Sequence, residues 1–207
     1  MFKRKILSKL EAWKRDERHK PLILRGARQV GKTTVVNEFG SQFDNYLYFN
    51  LEMNESVRLF EMDIPLNDLV NMLFASSGKS QREGSTLIFI DEIQNSPKTI
   101  ALLRYFYEQR PDLYVIAAGS LLENLVDVNV SFPVGRVMYM ALRPCSFYEF
   151  LGAIGKTNLL AVLSQKPEYT VAFHEQLIHQ FNQYTIIGGM PEAVQRYAET
   201  QDIVAIE

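Results

Sequence analysis

One stretch of eight residues limits this chain more than any other. Gly26-Ala27-Arg28-Gln29-Val30-Gly31-Lys32-Thr33 matches G-x-x-x-x-G-K-[ST] at every fixed position. The glycines allow backbone angles that a side chain would block. Successive N–H groups can then turn inward and cradle a polyphosphate. The loop needs a strand before it and a helix after it, and both are legible. Leu22-Ile23-Leu24 reads as a short buried strand, and Thr33 to about Phe39 as a helix stopped by Gly40. That helix aims its positive dipole end at the same oxygens. Lys32 can reach β- and γ-phosphates, and the Thr33 hydroxyl can ligate Mg²⁺. The alternative is a chance match in a turn. With Gly at ~7% of residues, that arises less than about once in a hundred chains of this length.

The surrounding pattern is α/β. Tyr46–Leu51, Leu87–Ile90, Tyr114–Ala118 and Val137–Leu142 read as further strands. Helical spacing runs through Asn67–Ala75 and through Ile100, Leu103 and Phe106. Leu87–Ile90 is apolar throughout, as expected of a strand buried on both faces of a parallel sheet. The tract 76–85 is polar and reads as a surface loop. After Pro144 the strand signal stops, and Phe147–Leu151, Phe173–Ile187 and Glu192–Tyr197 read as helical. The expected division is an amphipathic basic helix over 1–20, packed on a core of 21–145, followed by a helical region over 146–207. With 47% apolar residues among 207, the chain can bury a real core.

Asp91-Glu92 closes the apolar strand 87–90. Strand C-termini carry the ligand site in open α/β sheets. An Asp there can support Mg²⁺ through hard oxygen contacts. An adjacent Glu can orient and deprotonate an attacking water. The plainer alternative is an acidic cap on a following helix. Neither a D-x-x-G turn with an N-K-x-D base reader nor an L-S-G-G-Q run occurs, which argues against GTP switches and transporter cassettes.

At this point the chain resembles a large prokaryotic family of AAA-type P-loop ATPases, in which an ATPase module precedes a C-terminal domain of unknown function. The resemblance rests on Arg25–Thr34, Ile88-Phe89-Ile90-Asp91-Glu92-Ile93-Gln94, Ala118-Gly119-Ser120, Gly135-Arg136, Leu142–Leu151 and Gly188–Val194. It implies a three-layer P-loop NTPase fold with a mainly parallel central sheet and a helical lid. Family members are longer, so the lid over 146–207 is expected to be incomplete. The resemblance implies ATP as ligand, Mg²⁺ as cofactor, and Gly26 through Thr34 as the binding loop. It implies that Ser120 contacts the attacking water or γ-phosphate, the alternative being a helix N-cap ahead of Leu121–Leu125. It implies that Arg136 acts as an arginine finger toward a neighbouring subunit of a homo-oligomer, the alternative being a surface arginine. Pro191, in Gly188-Gly189-Met190-Pro191, is implied near the adenine, though it also suits the first position of a helix.

The expected activity is ATP hydrolysis coupled to a conformational change. A nucleotide-gated switch with little turnover and a DNA-linked motor are the alternatives. A small-molecule phosphotransferase usually needs an Arg-rich lid, and Arg196 is the one arginine in 151–207. Net charge is −2, so a general basic coat for nucleic acid is not supported. Residues 1–20 do carry eight basic and three acidic side chains, read as a solvated face. His174 and His179 fall on different helix faces, which disfavours a histidine metal site. Apolar runs fall far short of the roughly 18 residues of a membrane span. The single Cys145 excludes an internal disulfide and fits a cytosolic setting.

Overall fold

The apolar runs become five strands of one parallel sheet. The computed structural model describes residues 2–81, 84–120, 133, 135–165 and 170–204. In chain order the elements are α1 (Ile6–Arg15), β1 (Leu22–Arg25), α2 (Lys32–Gly40), β2 (Asn45–Asn50), α3 (Asn54–Phe60), α4 (Leu66–Ser76) and β3 (Thr86–Asp91). They continue as α5 (Pro97–Gln109), β4 (Leu113–Gly119), β5 (Met138–Ala141), α6 (Phe147–Ala153), α7 (Thr157–Leu163), α8 (His174–Ile187) and α9 (Pro191–Thr200). The sheet order is β2-β3-β4-β1-β5, with every neighbouring pair parallel.

β3 is buried at all six positions, as its unbroken apolar run requires. Alternate residues feed opposite layers. Ile23, Ile88, Ile90, Val115 and Ala117 join α4 and α5 residues such as Leu69, Leu73, Ile100 and Phe106 in one cluster. Leu22, Leu24, Leu87, Phe89 and Ile116 are fully buried outside that cluster. Trp13 of α1 packs near Phe39 of α2 and edge-on to Tyr114 of β4. The result is the three-layer α/β P-loop NTPase fold expected.

Two short helices escaped the periodicity reading. α3 and α7 have seven residues each, and each buries a single side chain fully, Phe60 and Leu159. One buried residue leaves no period to detect. The helix expected at Leu121–Leu125 lies outside the described residues.

Contacts divide the chain into two compact units, residues 8–142 and residues 1–7 with 143–207. In the second unit Phe150 is fully buried among Cys145, Ile187, Val194 and Tyr197. Burial pushes the Cys145 thiol up to about 11, so it is a packed side chain rather than a nucleophile. Ser146 and Glu149 form a reciprocal capping box at the start of α6. Glu149 also accepts from Arg4 Nε at 3.0 Å and from the Lys5 backbone N–H at 2.9 Å. Arg4 donates further to the Arg143 carbonyl at 2.8 Å. Arg4 thus departs from the solvated basic face expected of 1–20: it is 5% exposed.

Gly188 and Gly189 have structural reasons of their own. Gly188 ends α8 at φ 79°. A Cβ on Gly189 would stand 2.6 Å from the Cys145 carbonyl oxygen. Pro191 takes the first position of α9. Among the described residues no helix is long and apolar enough to cross a membrane.

Candidate nucleotide site

The loop 26–33 leaves β1 at its C-terminal end and enters α2. Gly26 has no room for a side chain, since a Cβ would lie 2.3 Å from the Leu142 carbonyl oxygen. Gly31 caps α2 at φ 88° and Gln29 holds φ 62°, a left-handed conformation uncommon outside glycine. Val30 is fully buried and anchors the loop, while Ala27, Arg28, Gln29 and Thr34 are exposed. Lys32 is 6% exposed and donates to the Gly26 and Ala27 carbonyls, each at 2.9 Å. Burial lowers its pKa, against the nearby Glu92 and Asp91 charges that raise it.

Asp91 ends β3, two strands away from β1. Thr33 Oγ1 nevertheless donates to Asp91 Oδ2 at 2.6 Å, across 58 residues of sequence. The other oxygen, Oδ1, accepts from the Glu92 backbone N–H at 3.0 Å. Burial raises the Asp91 pKa, and the bonds from Thr33 and Glu92 oppose that shift. Glu92 holds φ 53° and ψ 45°. This is strain for a residue with a Cβ, of order 1–3 kcal/mol, and such strain clusters at functional sites. Gln94, in the 3₁₀ turn Ile93–Asn95, donates Nε2 to Glu92 Oε2 at 2.5 Å.

Among the described residues, three buried polar atoms at or just past the C-terminal ends of β1, β3 and β4 have no hydrogen-bond partner: Arg25 Nε, Gln94 Oε1 and Ser120 Oγ. Buried polar groups are nearly always paired, so three orphans at one sheet edge are unusual. Arg25 also stacks on the Tyr139 ring at 4.1 Å. The donor set fits a magnesium-bound nucleotide: a folded-in lysine, a hydroxyl and carboxylate already in contact, and unfilled polar atoms beside them.

The sequence-expected residues therefore separate. Gly26 through Thr33, Asp91, Glu92 and Ser120 gather at the C-terminal edge of the sheet. Arg136 does not: it precedes the N-terminal end of β5, the opposite edge, and pairs with Glu108 at 3.3 Å. Pro191 belongs to the other compact unit. Arg25 and Gln94 also lie at this edge; both stand inside segments quoted from the sequence but were given no role there. On β2, burial and the Asp91, Glu92 and Glu52 charges raise the Tyr48 pKa.

A glycine-bounded loop between β1 and α2, with a hydroxyl–carboxylate contact to β3, defines a nucleotide-binding P-loop domain of the ATPase type. The chain belongs to the AAA-domain family, whose model, described as AAA domain, matches residues 18–151. No curated protein matches. Among solved structures, the Walker-type ATPase PABY2304 of Pyrococcus abyssi is 17% identical, with a TM-score of 0.55 over 100% of this chain and 70% of that one. PCH-2 of Caenorhabditis elegans is 12% identical, with a TM-score of 0.50 over 96% of this chain and 63% of that one. At these identities the likeness is one of fold.

Proposed function

We propose that this chain binds ATP with Mg²⁺ on the loop 26–33 and hydrolyses it, coupling hydrolysis to a conformational change in a larger assembly. The observation that carries the reading is the 2.6 Å contact between Thr33 and Asp91. It brings the phosphate loop and the acidic pair to one point. Thr33 and Asp91 would hold Mg²⁺, which supplies neutralising charge to the phosphates when bound. Lys32 releases the Gly26 and Ala27 carbonyls and turns to the β- and γ-phosphates. Glu92 accepts the proton of the attacking water. Ser120, at the end of β4, offers its unpartnered hydroxyl to that water or to the γ-phosphate. Arg136 lies at the far end of the sheet from this site, so its finger role requires a second subunit. A cytosolic setting belongs to the same reading.

Glu92→Gln tests it. The change keeps shape and removes the base. Mg·ATP affinity stays at the wild-type value, while steady-state turnover falls roughly 10²–10⁴-fold. Turnover equal to wild type would end the role of Glu92. The gated-switch alternative has an observation of its own, because Glu92 and Lys32 are both engaged by their own neighbours. If the wild-type protein binds ATP yet shows no turnover when assembled, that alternative replaces the ATPase reading. Adding DNA to the same assay tests the DNA-linked motor, which requires stimulation.

A further inference from the structure

Arg28 stands in the middle of the phosphate loop with its side chain exposed. Among the described residues it forms no ion pair. The backbone on either side of it is held. Gly26 has no room for a Cβ, Gln29 takes φ 62° and Val30 is fully buried. The guanidinium is therefore carried on a fixed base with its fork uncommitted.

Lys32 lies beside it. Its Nζ donates to the Ala27 carbonyl at 2.9 Å, and that carbonyl belongs to the peptide bond whose nitrogen is that of Arg28. Burial and then the Arg28 charge lower the Lys32 pKa, while the Glu92 and Asp91 charges raise it. Four charged groups thus act around one ammonium. Two cations so close repel each other in the empty site, and an arginine that only solvates a surface gains nothing from that position.

Charge balance says what relieves the repulsion. Without Arg28 the site sets one cation, Lys32, against two carboxylates, Asp91 and Glu92. A magnesium-bound triphosphate is itself anionic. The backbone N–H groups of the loop and the α2 dipole offset part of that charge, but they are partial charges. The other arginines named for the site are committed elsewhere. Arg136 pairs with Glu108 at the opposite edge of the sheet, and Arg25 lies over the Tyr139 ring with its Nε buried.

We propose that Arg28 is the in-chain arginine of the terminal phosphate, and that it makes the site select nucleoside triphosphate over diphosphate. The inference rests on the phosphate-loop reading and gives one of its residues a distinct role. Lys32 spans the β- and γ-phosphates. Glu92, which works at the γ end, acts on that same lysine, so the uncommitted fork of Arg28 is presented to the γ-phosphate oxygens. A planar guanidinium meets such oxygens with two parallel bonds, which a lysine cannot reproduce. The contact is made within one chain, unlike any that Arg136 makes.

The test is calorimetry of Mg·ADP and of Mg·AMP-PNP, a triphosphate analogue that resists hydrolysis, on wild type, Arg28→Ala and Arg28→Lys. Arg28→Ala is expected to lose about 10–100-fold in AMP-PNP affinity, the worth of one or two charge-assisted bonds. Its ADP affinity changes by less than about threefold, because the γ-phosphate is absent. Arg28→Lys recovers only part of the loss. The melting temperature without nucleotide does not fall in either variant, since the side chain packs on nothing. The wild-type preference for AMP-PNP is the same at low and high protein concentration. Equal losses for the two nucleotides would overturn the proposal. So would full recovery in Arg28→Lys, which marks a general field rather than a fork, or a preference that collapses on dilution, which gives the role to a second subunit. Failure of the underlying reading looks different: wild type then binds neither nucleotide.

Discussion

Asp91 and Glu149 are both carboxylates withdrawn from solvent, one in each compact unit, and the fold treats them in opposite ways. Burial acts on both. At Glu149 it is outweighed by donors: the Ser146 and Lys5 backbone N–H groups and the Arg4 guanidinium hold the pKa below the usual carboxylate range. At Asp91 burial wins over the bonds from Thr33 and Glu92, and the pKa stays above that range. One centre is satisfied from within the chain. At the other both Asp91 oxygens are bonded, yet three polar atoms at the same sheet edge have no partner among the described residues. A polar cluster that completes itself holds structure together, whereas one left incomplete is prepared for something from outside.

The largest effect that sharpens this contrast is at Lys32. Lys32→Ala removes charge-assisted contacts to the phosphates, and calorimetry is expected to record a loss of about 3–6 kcal/mol in ATP affinity, the worth of two strong ionic hydrogen bonds. In the nucleotide-free protein the same change removes the donor to the Gly26 and Ala27 carbonyls, so the melting temperature is measured beside the affinity. An unchanged affinity would remove the nucleotide site altogether.

Next comes Glu149→Gln. It removes the charged partner of Arg4, whose side chain is 6% exposed beside a carboxylate that is 9% exposed and which keeps its bond to the Arg143 carbonyl. Breaking a buried pair from one side costs about 3–5 kcal/mol, read by urea unfolding near pH 7. The sign with pH follows from the lowered pKa. The stabilisation is present above the unfolded-state value and is lost as pH falls through the lower folded value. Wild type and Glu149→Gln therefore converge in acid.

The smallest effect runs the other way. Asp91 has a raised pKa, so its ionised form costs the folded state, and that cost sets in as pH rises through the carboxylate range. Asp91→Asn keeps shape and removes the charge. Without nucleotide at pH 7 it is expected to melt at a higher temperature than wild type. The gain disappears in acid, and Mg²⁺ dependence of ATP binding weakens. A lower melting temperature at pH 7 would show Asp91 to be a structural group like Glu149.

The two centres also differed in how far they could be read in advance. The phosphate loop was legible because its backbone path dictates residue types: Gly26 has no space for a Cβ, and Gly31 needs φ 88°. Asp91-Glu92 was legible because an apolar strand ending in acids has few ordinary explanations. The partners of Glu149 were not legible. Arg4 lies 145 residues away, and only packing brings such residues together. The capping box was present as Ser146-x-x-Glu149 but was used only for its resemblance to a family segment. Gln94 sat inside a quoted motif, yet its bond to Glu92 goes with a left-handed backbone that no local pattern announces.

The position of Arg4 matters for anyone who shortens the chain. The family match begins at residue 18, and a fragment cut there looks complete, with its phosphate loop, acidic pair and Glu149 all retained. It would lack Phe2, which packs against the Phe150 cluster, and both donors that the first residues supply to Glu149. Of the opening residues, Arg4 is an interior part of the helical unit and the partly buried Phe2 packs against its core. A fragment cut at residue 18 can fail to fold for a reason unrelated to nucleotide chemistry.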